Sequence, residues 1–215
     1  MSSPTVIVVA GTGTEVGKTW VAARLASALR DRSLTVQARK PAQSFEPDDP
    51  PEGTDAALLG AATGEDATTV CPAHRWYPVA MAPPMAADVL GVDRLVLADL
   101  VDELGRSWGD APADVGLVEL AGGIWSPIAH DGDGLDLTAA LAPDRIVLVA
   151  DAGLGTINSI RPAVAALAPI APVTTLLNRY DPEVELHRRN LAWLANHDGM
   201  RVVTTVGELA ADLSR

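Results

Sequence analysis

The chain has one cysteine, Cys71, among 215 residues. A single thiol excludes an internal disulfide. Its proline and alanine neighbours offer none of the paired spacings of a metal or redox motif, so Cys71 reads as a structural thiol. Basic residues are also scarce: 16 Lys and Arg against 28 Asp and Glu leave a formal net charge of -12. A surface of that sign repels polyanions, which argues against nucleic acid as a partner and makes solubility the role of the excess acid. Long apolar runs are missing as well. Val6 to Ala10 is too short for the core of a signal sequence, and nothing approaches a membrane span. The expected protein is soluble, cytoplasmic and free of the membrane. His74, His130, His187 and His197 show no ligand spacing, and Trp76, Tyr77 and Trp193 read as packing residues rather than base-stacking platforms.

What the chain does have is a glycine-rich turn, Gly11 to Thr19, reading GTGTEVGKT. It follows the apolar run Val6-Ile7-Val8-Val9-Ala10, which has the length and composition of a buried strand. It leads into Trp20 to Ala26, whose apolar spacing is helical. Glycines let the backbone approach a ligand, and the first N–H groups of the helix face an anion. Lys18 is then placed to reach β- and γ-phosphates, and the Thr19 hydroxyl to ligate Mg²⁺. The usual loop has four residues between its first glycine and the Gly-Lys pair; counted from Gly11, this one is a residue longer. Strand, glycines, Gly-Lys-Thr and helix together make a nucleotide site.

Short apolar runs alternate with helical patterns along the rest of the chain. Strands are expected at 34–38, 115–118, 145–150, 173–178 and 202–206, and helices from Asp55 to about Gly64, over Asp93–Trp108, from near Asn158, and over Pro182–Asn196. Residues 43–54 are rich in proline and aspartate and read as a mobile loop; 70–85, with Pro72, Pro78, Pro83 and Pro84, cannot be regular throughout. Asp131 and Asp133 lack the rest of a Ca²⁺ loop and read as a turn. Such alternation implies one α/β domain over residues 1–215, with a doubly wound, mostly parallel sheet and helices on both faces.

Ligands of such sheets bind beyond the C-terminal ends of the strands. There lie Lys40, Glu119, the Asp151–Asn158 turn and Asn178. Each has an ordinary alternative: Glu119 as a strand-end acid facing water, Asp55 as a helix-dipole partner, Lys40 as a surface charge. Together with Lys18 and Thr19 they describe a hard-cation site suited to Mg²⁺ on nucleotide phosphates.

Six strings in order, GTGTEVGKT at 11–19, RKPAQS at 39–44, TDAALL at 54–59, VELAGG at 118–123, GLGTIN at 153–158 and LLN at 176–178, resemble the dethiobiotin synthetases. The resemblance covers nearly the whole chain. It implies a homodimeric ligase of biotin biosynthesis that closes the ureido ring of dethiobiotin from 7,8-diaminononanoate, CO₂ and MgATP. It also implies roles. Gly13, Thr14, Glu15, Val16, Gly17, Lys18 and Thr19 would bind ATP, with Asn178 reading the adenine edge. Lys18, Lys40 and Thr14 would be catalytic, and Thr14 and Ser44 would orient a carbamate. Thr19, Asp55 and Glu119 would hold the metal. Gly155, Thr156, Ile157 and Asn158 would take the substrate's carboxylate tail in the partner's site. The family usually reads VEGAGG, so Leu120 departs from it and is expected to add bulk near the substrates. Other readings are a related synthetase acting on another amine and a P-loop ATPase switch of the chromosome-partitioning type. That group carries an extra lysine where this chain has Gly13. A cobyrinate-type amidotransferase needs a further glutaminase domain, for which 215 residues are too few.

Overall fold

The computed structural model describes residues 4–108 and 113–213. Its centre is a six-stranded parallel sheet built from β1 (Thr5–Gly11), β2 (Val36–Arg39), β5 (Val115–Glu119), β8 (Arg145–Asp151), β9 (Val173–Asn178) and β10 (Val202–Val203). The strand order is β10-β9-β8-β1-β5-β2. β1 runs between β5 and β8, with Val8 opposite Val118 on one side and Ile146 on the other.

The unbroken apolar runs follow from burial on both faces. Along β1, Val8 and Ala10 point into one core with Val118 and Leu148, while Ile7 and Val9 point into the other with Leu117 and Val149. Helices α1 (Lys18–Arg30), α2 (Asp55–Thr63), α3 (Ala67–Val70) and α9 (Val206–Leu213) cover the Ile7 face through Leu25, Leu59, Val70 and Leu209. Helices α4 (Pro83–Leu90), α5 (Leu97–Arg106), α6 (Gly134–Leu141), α7 (Thr156–Leu167) and α8 (Glu185–Ala192) cover the Val8 face through Ala86, Leu100, Leu137, Ile160 and Leu191. The doubly wound sheet is as expected. No helix among the described residues is long and apolar enough to cross a membrane.

Several local expectations are corrected. Residues 43–54 are not simply loop: β3 (Gln43–Ser44) pairs in parallel with β4 (Trp76–Tyr77), Phe45 packs edge-on against Trp76 at 6.2 Å, and 51–53 form a 3₁₀ turn. The helix expected over 93–108 begins at Leu97. The preceding strap is pinned to a hairpin of β6 (Pro127–Ala129) and β7 (Gly132–Asp133), because Leu95 N donates to His130 Nδ1 and Leu97 N to Asp131 Oδ1. The Asp131–Asp133 turn does double duty, since Asp133 caps α6 in a reciprocal box with Asp136. The last strand stops at Val203, and Thr205 then accepts from Glu208 N to start α9. Helix α7 starts at Thr156 behind Gly155, whose φ of 91° is a left-handed conformation, so Asn158 lies inside the helix and not at its cap.

Candidate functional site

The site is built where β1 runs into α1. Gly17 has φ 89° and Glu15 φ 58°, so the loop curls before the helix begins at Lys18. At Gly17 a Cβ would come within 2.2 Å of Asn178 Nδ2, so the turn requires glycine on two counts. From the β5 end, Gly123 packs so closely on the loop that a Cβ there would meet Gly13 Cα at 3.2 Å. Lys18 folds back over the loop, and its Nζ donates to Gly13 O at 3.0 Å.

Behind Lys18 lies a compact polar cluster. Lys40 Nζ is 2.6 Å from Asp55 Oδ2 and 2.6 Å from Glu119 Oε1. Thr19 Oγ1 is 2.7 Å from Asp55 Oδ1 and 2.8 Å from Glu119 Oε1. Four elements converge here: α1 brings Thr19, the end of β2 Lys40, the start of α2 Asp55, and the end of β5 Glu119. Lys40 is 2% exposed and Glu119 1%, so neither the surface-charge reading of Lys40 nor the water-facing reading of Glu119 holds.

Burial weighs most on every charge in this cluster. It pushes the Lys18 ammonium down to about 8, helped by the neighbouring Lys40 charge and resisted by Glu119 and Asp55. Lys40 is buried too, yet Glu119 and Asp55 hold it above the ordinary lysine value. The carboxylates part company. Burial tends to raise Asp55, but Lys40 and the Thr19 hydrogen bond keep it below its usual range, whereas burial and the charge of Asp55 push Glu119 up. A cation delivered between them would relieve that repulsion.

Glu119 Oε2 is buried and has no hydrogen-bond partner. An orphaned carboxylate oxygen beside a second carboxylate and a hydroxyl fits a hard divalent cation such as Mg²⁺. No set of three or more His, Cys, Asp or Glu among the described residues could hold a metal alone. The donor set here is thus a partial shell, of the kind Mg²⁺ completes with water and phosphate oxygens.

A cavity of about 970 Å³ opens over the cluster, with Thr14, Lys18, Lys40, Ser44, Asp55 and Glu119 in its walls. The Ser44 Oγ and Gln43 Nε2 that face this region are also buried without partners. A second cavity, about 870 Å³, meets the first at Gly17 and Arg179 and is walled by Trp20 and Asn178. Asn178 Nδ2 donates to Val16 O at 2.9 Å, tying the end of β9 to the loop. Sequence reading missed Gln43 and Arg179. Gln43 accepts from Ala56 N through Oε1 at 2.9 Å, and Arg179 reaches Glu15 O at 2.9 Å. The only signal for either was its place beside a residue already singled out.

Gly155, Thr156, Ile157 and Asn158 line neither of these two cavities. Thr156 Oγ1 donates to Asp151 O, Ile157 packs partly on the core, and Gly155 and Asn158 face outward. The bulk expected of Leu120 is not in the cavity. Its side chain is fully buried in the Val8-side core, because strand alternation turns it away from Glu119; only its carbonyl faces Lys40, at 3.4 Å.

Comparison with known proteins adds independent ground. Residues 5–211 match the AAA domain family. The ATP-dependent dethiobiotin synthetase BioD of Rhodococcus jostii is 37% identical over 206 residues, covering 94% of this chain and 85% of the relative. That of Caulobacter vibrioides is 40% identical over 162 residues, 74% and 72% of the two chains. That of Haloferax mediterranei is 36% identical over 200 residues, 91% and 81%. Among solved structures, a cobyrinic acid a,c-diamide synthase from Mycobacterium smegmatis, with bound ATP analogue and magnesium, superposes with a TM-score of 0.55 at 18% identity over 99% of this chain and 95% of its own. A plasmid partition protein from Borrelia burgdorferi gives 0.55 at 12% identity, over 99% and 96%. At such identities these two likenesses show the fold alone. On the sequence relatives and the loop geometry together, the chain belongs to the ATP-dependent dethiobiotin synthetase family.

Proposed function

We propose that this protein makes dethiobiotin from 7,8-diaminononanoate, CO₂ and ATP in biotin biosynthesis. The observation that carries the reading is the cluster in which the buried Lys40 and Glu119 meet the part-exposed Asp55 and Thr19, set directly behind Lys18 at a cavity of about 970 Å³. One amine of the diamine attacks CO₂ and loses a proton, giving a carbamate. A carbamate oxygen then attacks the γ-phosphorus of ATP and ADP leaves. The second amine attacks the carbonyl of the resulting mixed anhydride, phosphate departs, and the ring closes as that nitrogen gives up its proton.

This sequence needs no protein nucleophile. Cys71 suits that: it is buried, and burial pushes its thiol up to about 12. What the chain must supply is charge, since carbamate and γ-phosphate repel each other. Lys18, its pKa held at about 8 and so still mostly protonated near neutral pH, would bind the phosphates. Lys40 would face both anions, with Thr14 and Ser44 orienting the carbamate. Thr19, Asp55 and Glu119 would hold Mg²⁺, which when bound neutralises phosphate charge. Gly13, Glu15, Val16 and Gly17 would offer backbone groups to the phosphates, and Asn178 would stand beside the base. Leu120, turned into the core, gives no reason to prefer a different amine.

The substrate's distant carboxylate needs an anion site away from the phosphates. Gly155, Thr156, Ile157 and Asn158, at the free start of α7, would provide it to a partner subunit in a homodimer. The outward position of Gly155 and Asn158 supports this, as does Leu154 in the same turn, 92% exposed. The test is ADP release by the purified protein. It is expected to require diaminononanoate, bicarbonate and Mg²⁺ together; release at full rate without the diamine would contradict the reading.

A further inference from the structure

The second cavity contains an aromatic side chain that the reaction above does not use. Trp20 follows Thr19 on α1, is 52% exposed, and stands in the wall of this cavity. Arg24, one turn further along α1, lies in the same wall with its guanidinium 5.7 Å from the indole centroid. An exposed tryptophan leaves a large apolar ring in water, a cost that a ligand laid on the ring would remove.

The geometry fixes which end of a nucleotide reaches this wall. Its phosphates belong with Lys18 and the first N–H groups of α1, and the cavity on the Lys40 side holds the carboxylates and Ser44. The base must therefore extend past Gly17 into the cavity of Trp20 and Asn178. The polar groups there are largely engaged already. Asn178 Nδ2 donates to Val16 O, Arg179 binds Glu15 O and Asp151, and Thr204 and Thr205 are tied to Glu208. Tyr180, the other aromatic ring in this wall, already lies against His187 with centroids 6.0 Å apart, which leaves the exposed indole, braced by a guanidinium, to meet the base.

We propose that Trp20, supported by Arg24, is the stacking platform for the nucleobase and sets much of the nucleotide affinity. The inference rests on the reading of the P-loop as a nucleotide site, though not on the identity of the amine. Its test is calorimetry on Trp20→Ala with two probes, ADP and inorganic pyrophosphate, both with Mg²⁺. Loss of a base–aromatic stack is expected to weaken ADP on the order of 10- to 100-fold while leaving pyrophosphate within about 2-fold, and Trp20→Phe is expected to restore most of the ADP affinity. Unchanged ADP affinity in Trp20→Ala would overturn the proposal. So would equal losses for both probes, which would show that the substitution disturbs α1 and the loop. Wild-type protein that binds pyrophosphate but not ADP would refute the stack alone, whereas failure to bind either would remove the nucleotide site itself.

Discussion

Lys18 and Lys40 differ in what their loss should do. The Lys18 ammonium hydrogen-bonds only Gly13 O among the described residues, so Lys18→Ala should leave the fold intact and reduce turnover by roughly 10²-fold or more, the scale of one charge-stabilising contact in phosphoryl transfer. Steady-state kinetics together with an unchanged melting curve would check it. Lys40 is also the counter-charge of two carboxylates, and removing one partner of a buried pair is costly. Lys40→Gln should therefore lower both kcat and Tm, with ADP affinity changed only modestly; lost ADP binding with spared chemistry would reverse its assignment. Leu120 lies in the core rather than beside the substrates. Since its side chain fills the core, Leu120→Ala should cost about 2–5 kcal/mol of stability. The ratio of kcat/KM values among diamines of different length should stay as it was, and a shifted ratio would return Leu120 to the substrate. At this scale the sequence distinguished residue types well, because Gly-Lys-Thr after an apolar run has few other uses. It could not say that Lys40 is enclosed, since its burial depends on Glu119 at the end of β5, 79 residues further along the chain.

The elements that were legible are those with long periodic signals or strong punctuation. The buried strands β1, β5, β8 and β9 announce themselves as apolar runs, whereas α4, α6 and α9, each eight residues long, do not. Helix α6 opens in DGDG, where turn and cap chemistry look alike until Asp136 is seen to reach back to Asp133 N. Two predictions belong to this scale. Gly17→Ala would force a Cβ into the Asn178 amide at a left-handed φ, so it should abolish ADP binding by calorimetry while Tm falls only modestly. The second concerns Arg75, which grips Glu103 of α5 through two hydrogen bonds, 3.0 and 2.6 Å. Burial tends to raise Glu103, but Arg75 and His74 outweigh it and hold the carboxyl below its ordinary value of 4.5. A depressed carboxyl stabilises the fold above its unfolded value and loses that contribution as pH falls through the folded one. The Tm of the wild type should therefore drop more steeply than that of Glu103→Gln between about pH 5 and pH 3. Parallel curves would show that the pair does not contribute.

For the whole molecule, alternation of strand and helix conveyed the class of fold, but the strand order, with β5 inserted between β1 and β2, emerges only from packing. The same holds for the site, whose parts lie 100 residues apart between Thr19 and Glu119 and 162 apart between Val16 and Asn178. Assembly is the largest claim at this scale. If Gly155–Asn158 serve a partner's site, light scattering should give a dimer mass. Mixing Lys18→Ala with a protein disabled at Asn158 should then restore partial activity through hybrid dimers, and a fully active monomer would contradict the shared site. The central claim is tested most directly by mass spectrometry of the product. Protein incubated with 7,8-diaminononanoate, ¹³C-bicarbonate, ATP and Mg²⁺ should yield dethiobiotin carrying the label in its ureido carbonyl, and Lys18→Ala should yield almost none; no labelled dethiobiotin from the wild-type protein would contradict the account.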